Sequence, residues 1–333
     1  MSLLFVDENG ATIGINGNRF YVDHSDGMRE TVPAETLECI SIMGNAKMTT
    51  QSMQECLKRG ISVVFYSKGG KYFGKLVSTC HINAERQRKQ CALYGTDFSL
   101  DFSKRIITAK MKNQLVVMKR YAKSKGMTLD EEEKMLHICV GKIDNCTSID
   151  EIMGYEGQGA KAYFQGLSKV IKPDFSFNGR SRRPPLDEFN TMIGLGYSVL
   201  MNEIYAKIEV KGLNPYFGYM HSDKENHPTL ASDLMEEWRA VIVDATAMSM
   251  INGNEIDKED FLNNIDEPGC YLAKTGIKKY LPKLERKLKT EVRYLDYITY
   301  ATSFRRAMFL QIEQLVKAIE EKDATLYHPI QIR

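Results

Sequence analysis

His221 and Glu236 open and close the run His221-Ser-Asp-Lys-Glu-Asn-His-Pro-Thr-Leu-Ala-Ser-Asp-Leu-Met-Glu236, a turn-rich loop running into a helix start, and Glu156 is a third candidate ligand. One imidazole and two carboxylates brought together suit Mg²⁺ or Mn²⁺ held with positions left open for phosphate and water. Such an ion polarises a phosphate and stabilises attacking and leaving oxygens, so these residue types point to phosphodiester chemistry. On the helix that closes the run, Asp233 and Glu236 are three residues apart and share a face, whereas Glu237 is turned away from Glu236 by about 100°. Taken alone, the segment also fits ordinary helix acids paired with basic neighbours such as Arg239.

Glu156 stands in Gly154-Tyr-Glu156-Gly-Gln-Gly-Ala-Lys-Ala-Tyr-Phe164, an acid between glycines at the beginning of a helix, where small neighbours leave room for a bulky charged ligand. The competing reading is a first-turn acid favoured by the positive end of the helix dipole. Lys169 to Pro185 then holds Arg180, Arg182 and Arg183 in a stretch broken by Pro and Gly, with Phe175 and Phe177 able to pack or stack. That pattern suits a nucleic-acid backbone contact or, more blandly, a solvated loop. Among the other histidines, His137 falls on the apolar side of its helix as a structural residue, and His227 shapes the loop before Pro228. His24 and His328 lack an acidic partner pattern.

These residues need a scaffold, and the chain changes character to supply one. Up to residue 80 or so, short runs at Leu3 to Val6, Ala11 to Ile15 and Arg19 to Val22 alternate with turn residues, predicting a β-meander, followed by one helix at 50–59 and a hairpin of Ile61 to Tyr66 and Tyr72 to Val77. From residue 84 the apolar period becomes helical, with expected helices at 84–94, 99–125, 130–141, 148–171, 187–211, 229–250 and 276–320. The expectation is α+β: a β-sandwich-like domain over 1–80, then an all-α catalytic and DNA-binding domain over 85–333.

With 333 residues, 43% of them hydrophobic, there is material for two cores. Seven cysteines without a C-x-x-C pair argue against a disulfide framework or a zinc ribbon. The start Met1-Ser-Leu-Leu lacks a signal-peptide pattern, and no apolar run reaches membrane-spanning length. A cytoplasmic protein with reduced thiols and no membrane contact is expected. A net charge of +2 means that any nucleic-acid surface must come from segregated charge. Two nucleotide motifs are set aside. Gly69 to Lys75 has Leu76 where a P-loop needs Ser or Thr, and Gly157-Gln-Gly159 follows a helical rather than a strand pattern.

Together, Gly154-Tyr-Glu156-Gly157, Arg182-Arg183-Pro-Pro-x-Asp-x-x-Asn190, and His221 followed by Leu230-Ala-Ser-Asp-Leu-Met-Glu236-Glu-Trp-Arg239 resemble the CRISPR-associated endonuclease and integrase family numbered first in its nomenclature. The resemblance spans nearly the whole chain, and the third ligand, Asp in some members, is Glu236 here. It implies that Glu156, His221 and Glu236 bind Mg²⁺ or Mn²⁺ with Asp233 as an accessory carboxylate. It also implies that a captured DNA fragment is joined through its 3′-hydroxyl to a phosphodiester at the edge of a CRISPR repeat. Lys224 and Arg239 would hold flanking phosphates, and Arg180, Arg182, Arg183, Arg305 and Arg306 would extend the basic track. The implied partners are double-stranded DNA, a second copy through the β domain, and a small ferredoxin-like CRISPR-associated protein, in a four-to-two complex. A structure-selective nuclease for branched DNA and a catalytically weak DNA-end-binding scaffold stay open as alternatives.

Overall fold

A computed structural model describes residues 2–68, 72–76, 78, 82–181, 184–263 and 269–333. The chain divides into two compact units, Met1–Ile82 and Asn83–Arg333.

In the first unit, β1 (Ser2–Val6) precedes an antiparallel meander of β2 (Thr12–Asn16), β3 (Arg19–Asp23) and β4 (Arg29–Pro33). The turn between β2 and β3 places Gly17 at φ 57°, a backbone state that L side chains resist. Next come β5 (Leu37–Met43), β6 (Lys47–Met48), α1 (Thr50–Arg59), β7 (Ser62–Tyr66) and β8 (Tyr72–Leu76). The Thr49 hydroxyl caps α1 by accepting from the Ser52 amide, and Gly60 ends it at φ 70°.

Two four-stranded sheets result, ordered β4-β3-β2-β6 and β1-β5-β7-β8. The meander is therefore confined to β2–β4. In the other sheet, β1, β5 and β7 run parallel, because the meander and then α1 act as the long crossovers that parallel neighbours require. Leu4, Ile13, Phe20, Ile40 and Val63 are buried in the single core that both sheets share, which makes this unit sandwich-like. β8 closes the sheet antiparallel to β7. Of the dismissed P-loop, Gly69 and Gly70 lie outside the described residues, while Gly74 and Lys75 belong to β8.

The second unit is helical. It runs α2 (Ala84–Ala92), α3 (Asp97–Ser124), α4 (Asp130–Ile143), α5 (Ile149–Val170), α6 (Glu188–Val210) and α7 (Thr229–Trp238). A π-helical turn over Arg239–Asp244 joins α7 to α8 (Ala245–Asn252). After the short hairpin β9 (Phe261–Asn263) and β10 (Cys270–Leu272) comes α9 (Lys274–Lys289). The two-residue strands β11 (Glu291–Val292) and β12 (Thr302–Ser303) then lead into α10 (Phe304–Glu321).

The 28-residue α3 is the axis on which α4, α5 and α7 pack. α5 comes close because a Cβ at Gly159 would lie 2.8 Å from Met111 Sδ and one at Gly166 would meet Met118. The helix expected over 276–320 is instead two helices separated by the β11–β12 ladder. The cause is legible afterwards: Thr290, Val292 and Thr302 favour extended backbone, and the Ser303 hydroxyl caps α10 by accepting from the Arg306 amide. His137, placed on the apolar side of α4, is exposed, and Leu136, Cys139 and Ile143 are buried in its stead.

After α10 the chain returns across the backs of α3 and α7. The Ile330 amide donates to Glu237 Oε2 at 2.6 Å, and Gln311 Nε2 donates to the same oxygen at 2.9 Å, while the Tyr327 hydroxyl donates to Glu237 Oε1. Asn113 donates to the Ile330 carbonyl and accepts from the Ile332 amide, both at 2.9 Å. Glu237 is fully buried, and burial pushes its carboxyl up to about 7 despite these donors.

A stability prediction follows from the direction of that shift. The unfolded chain ionises this acid near 4.5 and the folded chain only near 7, so the stabilisation is complete below 4.5, declines as pH rises through 7, and is flat above. Over that window the native state loses on the order of 3 kcal/mol. Glu237→Gln, which cannot ionise, is expected to show a smaller difference in urea midpoint between pH 5 and pH 8 than the wild type.

Candidate active site

The site starts from a buried acid that organises backbone. Asp233, in the second turn of α7, is fully buried, and its Oδ2 accepts from the amides of Tyr219 at 2.7 Å and Met220 at 3.1 Å. Its Oδ1 accepts from the His221 amide at 3.1 Å and lies 2.7 Å from His221 Nδ1. Four contacts on one carboxylate thus hold the loop before α7 and orient the imidazole, leaving Nε2 as the face offered to a ligand. Gly218 is required beside it, because a Cβ there would lie 2.7 Å from both Asp233 Oδ2 and the Thr229 backbone.

One turn further along α7, Glu236 lies with Oε1 at 3.6 Å from His221 Nε2. Glu156 arrives from α5. It sits two turns inside that helix rather than at its beginning, which removes the helix-dipole reading, since that effect fades within the first turn. A Cβ at Gly154 or Gly157 would meet nothing within 4 Å, so the space beside Glu156 is open. Between the two glutamates stands Lys110 of α3, its ammonium against Glu156 Oε1 and 2.6 Å from Glu236 Oε2. The two expected glutamate ligands, from α5 and α7, therefore meet on one lysine, and His221, from the loop, faces Glu236.

Lys110 went unnoticed in the sequence, although Lys110, Asn113 and Gln114 form a polar trio on the otherwise apolar stripe of Ile106, Ile107, Met111 and Leu115. A lysine at such a position needs a paired anion. Burial alone would raise the Glu236 carboxyl, but the charges of Arg239 and Lys110, with His221, outweigh burial and hold it well below the usual carboxylate range. Burial disfavours the His221 imidazolium, yet the hydrogen bond to Asp233 carries its pKa upward.

A second layer steadies the first. Arg239 Nη2 is 3.1 Å from Glu236 Oε1, and its guanidinium lies 4.6 Å from the Tyr197 ring centre. Tyr197 donates to Asp244 Oδ1 at 2.5 Å, and Tyr163 donates to Oδ2 at 3.0 Å. In a regular α-helix, residues five apart are turned by about 140°. The i→i+5 pattern of the π turn brings Arg239 and Asp244 round toward the same tyrosine. Burial pushes the Asp244 carboxyl up to about 6.

With this geometry in place, comparison decides the family. The family model for CRISPR associated protein Cas1 matches residues 4–286. The chain belongs to the Cas1 family. It is 33% identical over 323 residues to the CRISPR-associated endonuclease Cas1 of Mycobacterium tuberculosis, covering 96% of this chain and 94% of the relative. To a Thermus thermophilus CRISPR-associated endonuclease Cas1 it is 28% identical, covering 100% and 98%. Among solved structures, a Cas1 protein from Thermotoga maritima has TM-score 0.82 at 20% identity, covering 96% and 97% of the two chains. A casposase bound to integration product has TM-score 0.86 at 22% identity, covering 98% and 93%. A Cas6-RT-Cas1–Cas2 complex chain has TM-score 0.84 at 22% identity, covering 100% of this chain and 36% of that one. These structures share the Cas1 fold, a strand-rich start followed by a mostly helical unit.

The basic residues expected around a Cas1 site divide sharply. Arg239 is in the site, and Arg180 joins it through Tyr197, whose ring centre is 5.4 Å from the Arg180 guanidinium. Lys224 is exposed on the loop after His221, and Arg306 lies 4.8 Å over Phe309 on α10. Arg182 and Arg183 lie outside the described residues. Arg305 is a correction: only 2% exposed, it forks between Glu203 at 3.0 Å and Glu285 at 2.6 Å, so its guanidinium is spent inside the fold and cannot join a DNA track. His24 and His328 also differ from expectation, with Glu8 at 2.7 Å and Asp296 at 3.5 Å respectively.

As to a metal, no three His, Cys, Asp or Glu groups among the described residues are already close enough to cage one. The donor set nevertheless fits a hard divalent cation. Two carboxylates flank a position now taken by an ammonium, His221 presents Nε2, and buried Glu236 Oε2 receives no well-aligned hydrogen bond.

Asp233→Asn is expected to lose about 2–4 kcal/mol, because an amide cannot accept from all four groups that a carboxylate serves. Urea unfolding measures the loss, and hydrogen exchange should accelerate selectively at the amides of Tyr219, Met220 and His221.

Proposed function

We propose that this Cas1 protein is a Mg²⁺- or Mn²⁺-dependent DNA endonuclease and integrase that inserts captured DNA fragments into a CRISPR array. The observation that carries this reading is that Glu156 and Glu236, from separate stretches of chain, meet on Lys110 while His221 Nε2 lies 3.6 Å from Glu236. A bound ion would polarise the target phosphate and neutralise charge on the attacking and leaving oxygens.

The chain's own residues do the rest. Asp233 fixes the His221 ring, and Arg239 and Arg180 present guanidinium groups to phosphates that flank the reacting one. Lys110, once displaced from the glutamates, places an ammonium beside the reacting phosphate. In joining, the 3′-hydroxyl of the fragment forms a new P–O bond as the repeat's own 3′-oxygen leaves with its electron pair, so no ATP is needed. Water in place of the hydroxyl gives cutting.

For partners, we infer double-stranded DNA, a second copy of the chain, and the small Cas2 protein present in one solved neighbour, in a four-to-two assembly. The β unit suits self-association. Its β8 edge carries Tyr72 and Phe73 exposed by 44% and 66%, and an open edge strand can extend a sheet across a two-fold axis.

Two measurements test the site. Glu156→Ala, His221→Ala and Glu236→Gln are each expected to abolish Mn²⁺-dependent joining and cutting of DNA by a folded protein; near-normal joining by the Glu156 variant would remove that residue from the site. In metal-free buffer, Lys110→Met leaves two glutamates without their ammonium, so its Tm should fall below that of the wild type. Mn²⁺ should then raise the variant's Tm by more than the wild type's, because no ammonium competes. An equal rise in both would show that the metal does not take the lysine's place.

A further inference from the structure

The catalytic unit balances its buried cations with carboxylates. Lys110 has Glu156 and Glu236, Arg239 has Glu236, Arg305 has Glu203 and Glu285, and Lys207 has Glu203 at 2.8 Å. One basic cluster is more exposed and is built differently. A cavity of about 520 Å³ bordered by α3, α8 and α9 is lined by Arg120, Lys283, Arg286 and Lys287 with Ser249 and Thr246, and no lining residue is an acid. Lys283 is answered by Glu255 at 2.6 Å, from outside the lining. Arg120, which is exposed, donates to the Arg333 oxygen, and Arg286 is exposed as well, so Lys287 is the half-buried cation of the cluster, with no ion-pairing carboxylate among the described residues.

The Lys287 ammonium lies half-buried, 5.1 Å from the Phe304 ring centre, and burial followed by the charge of Arg120 pushes its pKa down. Cations facing one another in a concave, partly desolvated place are unfavourable until an anion joins them. The cavity continues, past Lys287 and Thr290, into a recess of about 170 Å³ whose lining includes Val241, Val292 and Tyr294. A basic mouth over an apolar, aromatic recess of this size has the form of a nucleotide pocket. Its α3 residues Val117 and Tyr121 fall about two and three turns beyond Lys110 on the same stripe, roughly 10 and 16 Å along the axis.

We propose that this cavity is a second phosphate-ester site, separate from the Glu156, His221 and Glu236 centre. It takes one nucleotide phosphate on Arg120, Arg286 and Lys287 and seats the attached nucleoside over the apolar recess. The phosphate belongs either to a DNA strand, which rests on the DNA-handling function proposed above, or to a free nucleotide, which does not.

The test uses the full-length protein, Lys287→Met combined with Arg120→Gln, and Lys287→Arg as the charge-keeping control. Thermal shift is read with inorganic phosphate and with dAMP. Anisotropy is read with a labelled duplex and a labelled single strand across a salt series without divalent metal. Phosphate and dAMP should raise the Tm of the wild type and of Lys287→Arg but not that of the double variant. If the phosphate belongs to DNA, the double variant should also bind about tenfold more weakly, with a log–log salt slope shallower by about 0.9 on duplex or 0.7 on single strand. Loss of the phosphate response with an unchanged DNA slope assigns the site to free nucleotide. The proposal is overturned if the double variant keeps both the Tm responses and the DNA slope. Absence of salt-dependent DNA binding by the wild type would instead count against the proposed function.

Discussion

The helical unit is arranged around a charge that would be untenable alone. Glu236 is only 5% exposed, and a bare carboxylate there would carry a desolvation cost of several kcal/mol. Lys110 and Arg239 make it tolerable, and each brings its own support: Lys110 reaches from α3 and binds Glu156 of α5, while Arg239 leans on Tyr197 of α6. Four helices are thereby tied to one carboxylate. The same balance marks, between two acids, the position that the proposed divalent cation would take in place of the ammonium.

Orientation is supplied by a different device. Asp233 has no Lys or Arg ion pair among the described residues; it is satisfied by three consecutive amides and an imidazole. Backbone donors are fixed once the loop is formed, so the His221 ring inherits the precision of the main chain rather than the freedom of a side-chain pair. The close approach at Gly218 shows how little room the arrangement leaves.

Much of this was legible in residue types and spacing. The change of period near residue 84 marks the helical unit, the Thr49 and Gly60 signals bound α1, and His221, Asp233 and Glu236 are local enough in sequence for their shared loop and helix face to be anticipated. Contacts across long separations were not. Lys110 lies 46 residues from Glu156, and a lysine on a helix ordinarily suggests solvent. Arg305 next to Arg306 suggested a basic track, yet only tertiary packing reveals that α10 turns the first inward and the second outward. The break inside 276–320 was missed because α9 and α10 are each strongly helical, and two-residue strands leave too short a periodic signal to compete. Parallel pairing of β1 with β5 is likewise invisible locally, since it is set by what lies between them.

The strap formed by residues 327–332 has a consequence for how the protein is made. Asn113 meets Ile330 and Ile332 across 217 and 219 residues, and Glu237 meets Ile330 across 93. During synthesis, α3 and α7 emerge long before this segment, so until it arrives the Asn113 amide keeps only its bond to the Glu237 carbonyl, and the Glu237 carboxyl lacks its donors from Tyr327 and Ile330. A Cas1 chain cut short before Tyr327 would keep every proposed ligand yet lack the backing of α7, the helix that carries Glu236. Translation thus acts as a timer: the rear of α3 and α7 closes only after residues 327–332 have been made.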